Sequence, residues 1–234
     1  MIEYLKSYKY VYVLDRKRVD EYNEEDCSIN ISLFFFTGNN HPYILLNTLV
    51  WRKIDVLGSE MKLYESEDGF FIMPTKTLND ASVLDYKCVI LPGIINPLPA
   101  LYDEKIITFL KQAKDTNVLI VAISAAPLLL AKAGLLDDVK FTAGFFMQMI
   151  DVFPFIHREN FVHQPLVEEK RIITAIGFAF REFAMAVLKR LGYDVQGKFM
   201  WPVEKTYSEE ELTFYWNDSD YQEFLKELEA YKKD

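Results

Sequence analysis

The residue with the clearest chemical potential is Ser124, in the run Ala122, Ile123, Ser124, Ala125, Ala126. It stands between a β-branched apolar run, Val118 to Ile123, and a Leu/Ala-rich run that ends at Gly134. Small residues two before and two after it meet the steric demand of a nucleophile elbow, a sharp turn that brings strand and helix too close for large side chains. In that geometry the Ser124 hydroxyl faces a cleft, and the Ala125 amide at the start of the helix can stabilise a developing oxyanion. A plainer role fits the same residues. Serine is a favoured helix N-cap, and Pro127 suits a first helical turn, where its missing N–H costs little.

A serine nucleophile at neutral pH needs a positioned base, and the chain offers three histidines. His41 follows the apolar run Ile29 to Phe36 and the turn formers Gly38, Asn39 and Asn40, while His157 and His163 lie between Asp151 and Pro165. Each is a candidate base for Ser124, and each also suits a surface or hydrogen-bonded structural role. Gly93 and Ile94, after the run Tyr86 to Leu91, are candidate oxyanion donors; Asn40 and Tyr43 are candidate pocket residues. The histidines show no short-spaced ligand pair, so neither a metal site nor a cofactor is expected. Cys88, inside an apolar run, reads as a buried, inert small hydrophobe, and Cys27 as an ordinary exposed thiol.

The elements that must position these residues follow from periodicity. Tyr8, Tyr10 and Tyr12 alternate with Lys9, Val11 and Val13 as in a strand, and a charged connector follows from Asp15 to Asp26. Ile29 to Phe36 reads as a buried strand, followed by a turn and a helix from Tyr43 to Lys53 with Pro42 at its start. Asp55 to Leu63 is a further strand candidate, and Phe70 to Met73 a hairpin or extended segment. Tyr86 to Leu91 is a strand, Asp103 to Ala113 a helix with Ile106, Ile107 and Leu110 on one face, and Val118 to Ile123 the next strand. Arg171 to Ala175 is a last short strand before a helix closed by Gly192. Ser208 with Glu211, and Ser219 with Gln222, have capping-box spacing, and Tyr221, Phe224, Leu225 and Leu228 form a stripe that docks on this domain or on a second copy. Alternating strands and helices imply an α/β fold with a mostly parallel sheet, whose functional loops gather at the carboxyl ends of the strands.

Composition excludes several classes of function. The 234 residues carry 26 basic and 35 acidic side chains, a net charge of −9, with a pI near 5.0. Nucleic acid is therefore not an expected partner. Hydrophobic residues make up 50% of the chain, enough for a chain of this size to bury about 70% of its unfolded surface without staples. Two cysteines cannot make a disulfide framework, which fits a reducing cytoplasm, and no secretory leader is visible at Met1 to Lys6. The window Val118 to Leu136 imitates a membrane span in length, but Ser124, Pro127, Lys132 and Gly134 break it into strand, turn and helix, so no membrane is expected.

The order of these segments resembles the ThiJ/PfpI (DJ-one-like) family within the class I glutamine amidotransferase-like superfamily. The likeness is carried by Asp85 to Gly93, by Val121 to Pro127, by Leu130, Ala131 and Ala133 to Leu136 with Lys140 and Thr142, and by Ile172 to Gly177 with Glu182, Phe183 and Ala184. It implies a flavodoxin-like, doubly wound sheet with helices on both faces, in one domain over 1–234. The core then runs from about 30 to 193, with an N-terminal extension, 1–29, and a C-terminal helical extension, 194–234. It also implies a homodimer.

Three departures bear on activity. The family has Cys where this chain has Ser124; no carboxylate stands in Asn39 to Tyr43, where the family places a Glu; and the usual Pro-Gly-Gly becomes Pro92, Gly93, Ile94. Cysteine-dependent chemistry is accordingly not expected, because serine lacks the stable thiolate on which it runs. The preferred expectation is a small-ligand-binding, regulatory or assembly module. The alternative is a serine-dependent hydrolase of the esterase, amidase or peptidase type.

Overall fold

The computed structural model describes residues 10–15, 31–34, 45–48, 54–65, 71–193 and 206–232. Its strands are β1 (Tyr10–Asp15), β2 (Ile31–Phe34), β3 (Leu45–Thr48), β4 (Ile54–Gly58), β5 (Tyr64–Glu65), β6 (Phe71–Ile72), β7 (Lys76–Thr77), β8 (Tyr86–Leu91), β9 (Leu119–Ile123), β10 (Leu166–Glu169) and β11 (Ile172–Ala175). The helices are α1 (Leu98–Leu101), α2 (Glu104–Lys111), α3 (Pro127–Lys132), α4 (Gln148–Val152), α5 (Phe180–Arg190) and α6 (Asp218–Tyr231).

Seven strands form the main sheet in the order β10-β11-β9-β8-β1-β4-β7. β8, β9 and β11 pair in parallel, as do β4 and β7, whereas β1 runs antiparallel to both β4 and β8 and β10 antiparallel to β11. Five of the seven strands thus share one direction. Successive residues of β8 and β9 point to opposite faces. Val89, Leu91, Ile120 and Ala122 pack with α1, α2, α3 and α6; Cys88, Ile90, Leu119, Val121 and Ile123 pack with α5. That two-sided burial is why β9 is apolar throughout and β8 is apolar from Cys88 to Leu91 rather than alternating, and it gives the flavodoxin-like, doubly wound arrangement.

The window that imitates a membrane span resolves into β9, a turn and α3, and among the described residues no helix is long and apolar enough to cross a membrane. Asp103 caps α2 by accepting the Lys105 amide at 3.1 Å. Gly134 closes α3 at φ +72°, with its N–H on the Ala131 carbonyl and the Leu135 N–H on the Leu130 carbonyl. This pair of bonds satisfies the last helical carbonyls and needs the left-handed conformation that glycine adopts freely.

Three expectations are corrected. Leu45–Thr48, read as part of a helix over 43–53, is strand β3; the rest of that span lies outside the described residues. Ile31–Phe34 is not a parallel strand of the main sheet but pairs antiparallel with β3 in a sheet of two, and β1 occupies the place between β8 and β4. Short apolar runs fit strand and helix equally well, and the pairing partner decides between them. At the C-terminus, α6 is capped by Asn217, which accepts the Asp220 amide at 2.9 Å, rather than by Ser219. The Ser208 and Glu211 box does form, with reciprocal bonds of 3.0 and 3.2 Å, and it opens a single 3-10 turn, Glu210–Leu212.

Candidate functional site

Ser124 follows β9 at the carboxyl end of the parallel core. Its amide donates to the Ala175 carbonyl at 2.9 Å and its carbonyl accepts from the Gly144 amide at 2.8 Å. Between these two bonds its backbone is held at φ +62°, a left-handed conformation that costs a non-glycine residue roughly 1–3 kcal/mol and persists only where surroundings impose it. The surroundings are close: a Cβ on Gly144 would lie 3.5 Å from the Ser124 Cα and 3.3 Å from the Gly177 nitrogen. The hydroxyl does not cap α3. The N-cap position belongs to Ala126, which has no side-chain cap, and Ser124 Oγ instead donates to the Ile94 carbonyl at 3.3 Å. A cap needs extended backbone, and the positive φ of Ser124 swings its side chain away from the helix amides.

Ile94 and Gly93 lie in the loop after β8, the strand beside β9. Both are buried, as is Ala125. Among the described residues no protein acceptor serves the amides of Gly93, Ile94 or Ala125. Buried N–H groups are paired in the great majority of cases, so donors beside a strained serine that have no acceptor among the described residues suit an oxygen-bearing ligand.

Neither described histidine is paired with Ser124. His163 shares a hydrogen bond between Nδ1 and Thr213 Oγ1 at 2.9 Å, and its Nε2 lies 3.5 Å from Glu209 Oε1. His157 stands between two carboxylates, 3.7 Å from Asp137 Oδ1 and 3.7 Å from Glu159 Oε1. Histidine orientation and role follow from such partners, and both side chains serve local surface contacts. His41, Asn40 and Tyr43 lie outside the described residues, as does Cys27. Cys88 is fully buried, and burial pushes its thiol far above the ordinary range, so it is an inert packing residue. Among the described residues no group of three His, Cys, Asp or Glu side chains could hold a metal ion.

The C-terminal segment contributes more to this region than its sequence reveals. Asn96, in the same loop as Ile94, donates from Nδ2 to Glu227 Oε1 on α6 at 2.8 Å and accepts the Leu98 amide on Oδ1 at 3.1 Å. After Gly144, the Met147 amide donates to the Phe214 carbonyl at 2.8 Å. Gln148 and the Trp216 backbone exchange two bonds, and Phe146 stacks on Trp216 at 4.3 Å. Phe224 and Leu228 of the α6 stripe are buried in this chain's own core. Two of the loops that touch Ser124 are thus tied to residues 214–227. Asx-type loop geometry at Asn96 has a local sequence signal in Asn96, Pro97, Leu98, but its partner 131 positions away has none.

A second polar cluster lies at the opposite, amino end of the strands. Asp55 is fully buried; Lys76 Nζ lies 2.7 Å from its Oδ2, the Tyr86 hydroxyl donates to Oδ2 at 3.3 Å, and Thr75 donates to Oδ1 at 3.3 Å. Burial, with the Asp55 charge nearby, pushes the Tyr86 phenol up to about 12, and the hydrogen bond to Asp55 raises the Lys76 ammonium.

A doubly wound sheet with a strained serine at the carboxyl end of its central parallel strands defines a protein of the flavodoxin-like α/β class. The chain belongs to the DJ-1/PfpI family, whose pattern matches residues 42–190. It is 30% identical over 140 residues to the Bacillus subtilis (strain 168) protein named "Uncharacterized protease YoaZ", a match spanning 59% of this chain and 66% of that one. It is 33% identical over 92 residues to "Uncharacterized protease YdeA" of the same strain, spanning 39% and 47%. The matches therefore cover just under two thirds of the first relative and just under half of the second. Among solved structures, the ThiJ/PfpI family protein from Bacillus anthracis superposes with a TM-score of 0.53 at 27% identity, over 60% of this chain and 66% of that one. A two-domain protein from Anabaena variabilis with DJ-1/ThiJ/PfpI-like and ferritin-like domains shares the fold, with a TM-score of 0.54 at 22% identity over 65% of this chain and 45% of that one.

Proposed function

We propose that this DJ-1/PfpI protein binds a small ligand at the Ser124 turn, as a regulatory or assembly module, and does not carry the cysteine-dependent chemistry associated with the family. The observation that carries this reading is the fate of the serine proton. Ser124 Oγ donates to a backbone carbonyl, that of Ile94, which cannot accept the proton in a reaction, and both described histidines are engaged elsewhere. A hydroxyl in that state is no better a nucleophile than a free serine. Ligand binding at this turn makes no such demand, and the amides of Gly93, Ile94 and Ala125, which have no acceptor among the described residues, supply donors. Assembly as a homodimer belongs to the same proposal, and a clean monomer at micromolar concentration by light scattering would remove it.

A serine hydrolase is the second reading. It is favoured by the left-handed backbone of Ser124, the conformation of a nucleophile elbow, and by the word protease in the names of both relatives. In this reading Ser124 attacks, the three amides hold the oxyanion, and His41 is the remaining candidate base. Intact-mass analysis after treatment with a fluorophosphonate separates the two. No adduct on well-folded protein is the expected result; a stoichiometric adduct that disappears in Ser124→Ala establishes the hydrolase instead.

A further inference from the structure

The strands on either side of β9 each lead into a loop with one exposed large apolar side chain, placed one residue beyond a backbone group that borders the Ser124 turn. On the β8 side this is Ile95, immediately after the residue whose carbonyl accepts the Ser124 hydrogen bond; it is 42% exposed although its neighbours Ile94 and Asn96 are buried. On the β11 side it is Phe178, 39% exposed. The Ser124 amide is bonded to Ala175, Gly177 N and the Ser124 Cα both lie against Gly144, and Phe178 follows Gly177 directly in the chain. Behind Phe178 stands Tyr207, with ring centroids 4.8 Å apart and planes inclined at 47°. Tyr207 itself packs against the apolar layer under α5.

Neither exposure is required by the fold, since Ile95 and Phe178 sit in loops where a polar residue costs nothing. Exposed apolar side chains that flank a polar centre from two sides are the arrangement of a ligand pocket, in which a few donors orient the ligand and apolar walls supply most of the contact. We infer that the ligand of the Ser124 site is a small oxygen-bearing molecule carrying an aromatic ring, its oxygen on the amides of Gly93, Ile94 and Ala125 and its ring against Phe178, backed by Tyr207, and Ile95. This inference rests on the reading that the Ser124 turn binds a ligand. The ring requirement comes from Phe178 and Tyr207, because an inclined aromatic pair presents a flat face to which a third ring adds in offset or edge-on geometry.

The test titrates two carboxylates that differ only in the ring, acetate and phenylacetate, by calorimetry or by chemical-shift change. Phenylacetate is expected to bind at least about tenfold more tightly, the worth of burying a ring against apolar and aromatic neighbours. In Phe178→Ala that advantage should fall below about threefold while acetate affinity stays unchanged, which also shows that the variant is folded; Ile95→Ser should reduce it independently. Equal affinities in the parent protein, with both ligands lost in Ser124→Asn, would overturn the aromatic rim and leave the binding site standing. Asparagine is chosen because it tolerates positive φ and fills the turn. Failure of either carboxylate to bind in a manner that depends on position 124 would sink the site reading and the rim with it.

Discussion

Ser124 donates its hydroxyl proton to the carbonyl of Ile94 across 3.3 Å, joining the turn after β9 to the loop after its parallel neighbour β8. A carbonyl can accept this hydrogen bond but cannot take up the proton as a catalytic base would, so the strain in the turn can be tested apart from any chemistry. If the backbone at 124 is imposed by its two flanking hydrogen bonds, glycine should relieve what alanine retains. We expect Ser124→Gly to exceed Ser124→Ala in stability by about 1 kcal/mol in urea denaturation. An alanine variant as stable as the glycine one would mean that the residue is not held left-handed in solution.

Gly144 should tolerate no side chain. The atoms that a Cβ would meet are the backbone nitrogen of Gly177 and the Cα of Ser124, neither of which can rotate away. Gly144→Ala should cost about 1–3 kcal/mol and weaken phenylacetate and acetate binding together, since it displaces the shared turn. A neutral substitution would show that these backbones are further apart than described.

Asn96 and Glu227 make unequal contributions. Asn96→Ala removes the acceptor of the buried Leu98 amide as well as the bond to Glu227, and should cost about 1–3 kcal/mol. Glu227→Gln keeps a hydrogen-bonding oxygen and should cost under about 1 kcal/mol. Native-state hydrogen exchange should show the Leu98 amide exposed in the first variant and protected in the second.

The Asp55 cluster predicts alkaline lability. Tyr86 and Lys76 both have raised pKa values in the folded chain. The stability they contribute is thus complete below their unfolded values near 10 and is lost as pH climbs through the folded ones. The urea midpoint should hold from pH 8 to about 10 and fall between about 10 and 12, and Tyr86→Phe should flatten that fall. Half-exposed Lys76 contributes the smaller part, being screened by solvent. A midpoint insensitive to pH over this range would separate Tyr86 from the carboxylate.

The parallel core was legible because its signals are local. Gly134 and Gly192 mark helix ends, and the apolar runs Cys88–Leu91 and Leu119–Ile123 mark two-sided burial. Ser124 was legible as a special turn residue but not as to which role it plays: the backbone angle that separates elbow from cap is set by Ala175 and Gly144, distant in sequence. The pairing of Ile31–Phe34 with Leu45–Thr48 has no sequence signal, because periodicity carries no pairing information. His163 looked like a candidate base until Thr213 and Glu209, some fifty positions on, were seen to occupy its ring nitrogens. The rim at Ile95 and Phe178 had no signal at all, since exposure is a property of the assembled surface.

The tie between Asn96 and Glu227 also orders events during synthesis. A ribosome adding about 5–20 residues per second makes Glu227 many seconds after Asn96, 131 positions earlier. Through that interval β8, β9 and their loops can pair before the loop bearing Ile94 gains its hydrogen bond to α6. Ligand competence on a nascent chain should accordingly arrive late and abruptly, with the emergence of α6, rather than growing with the sheet.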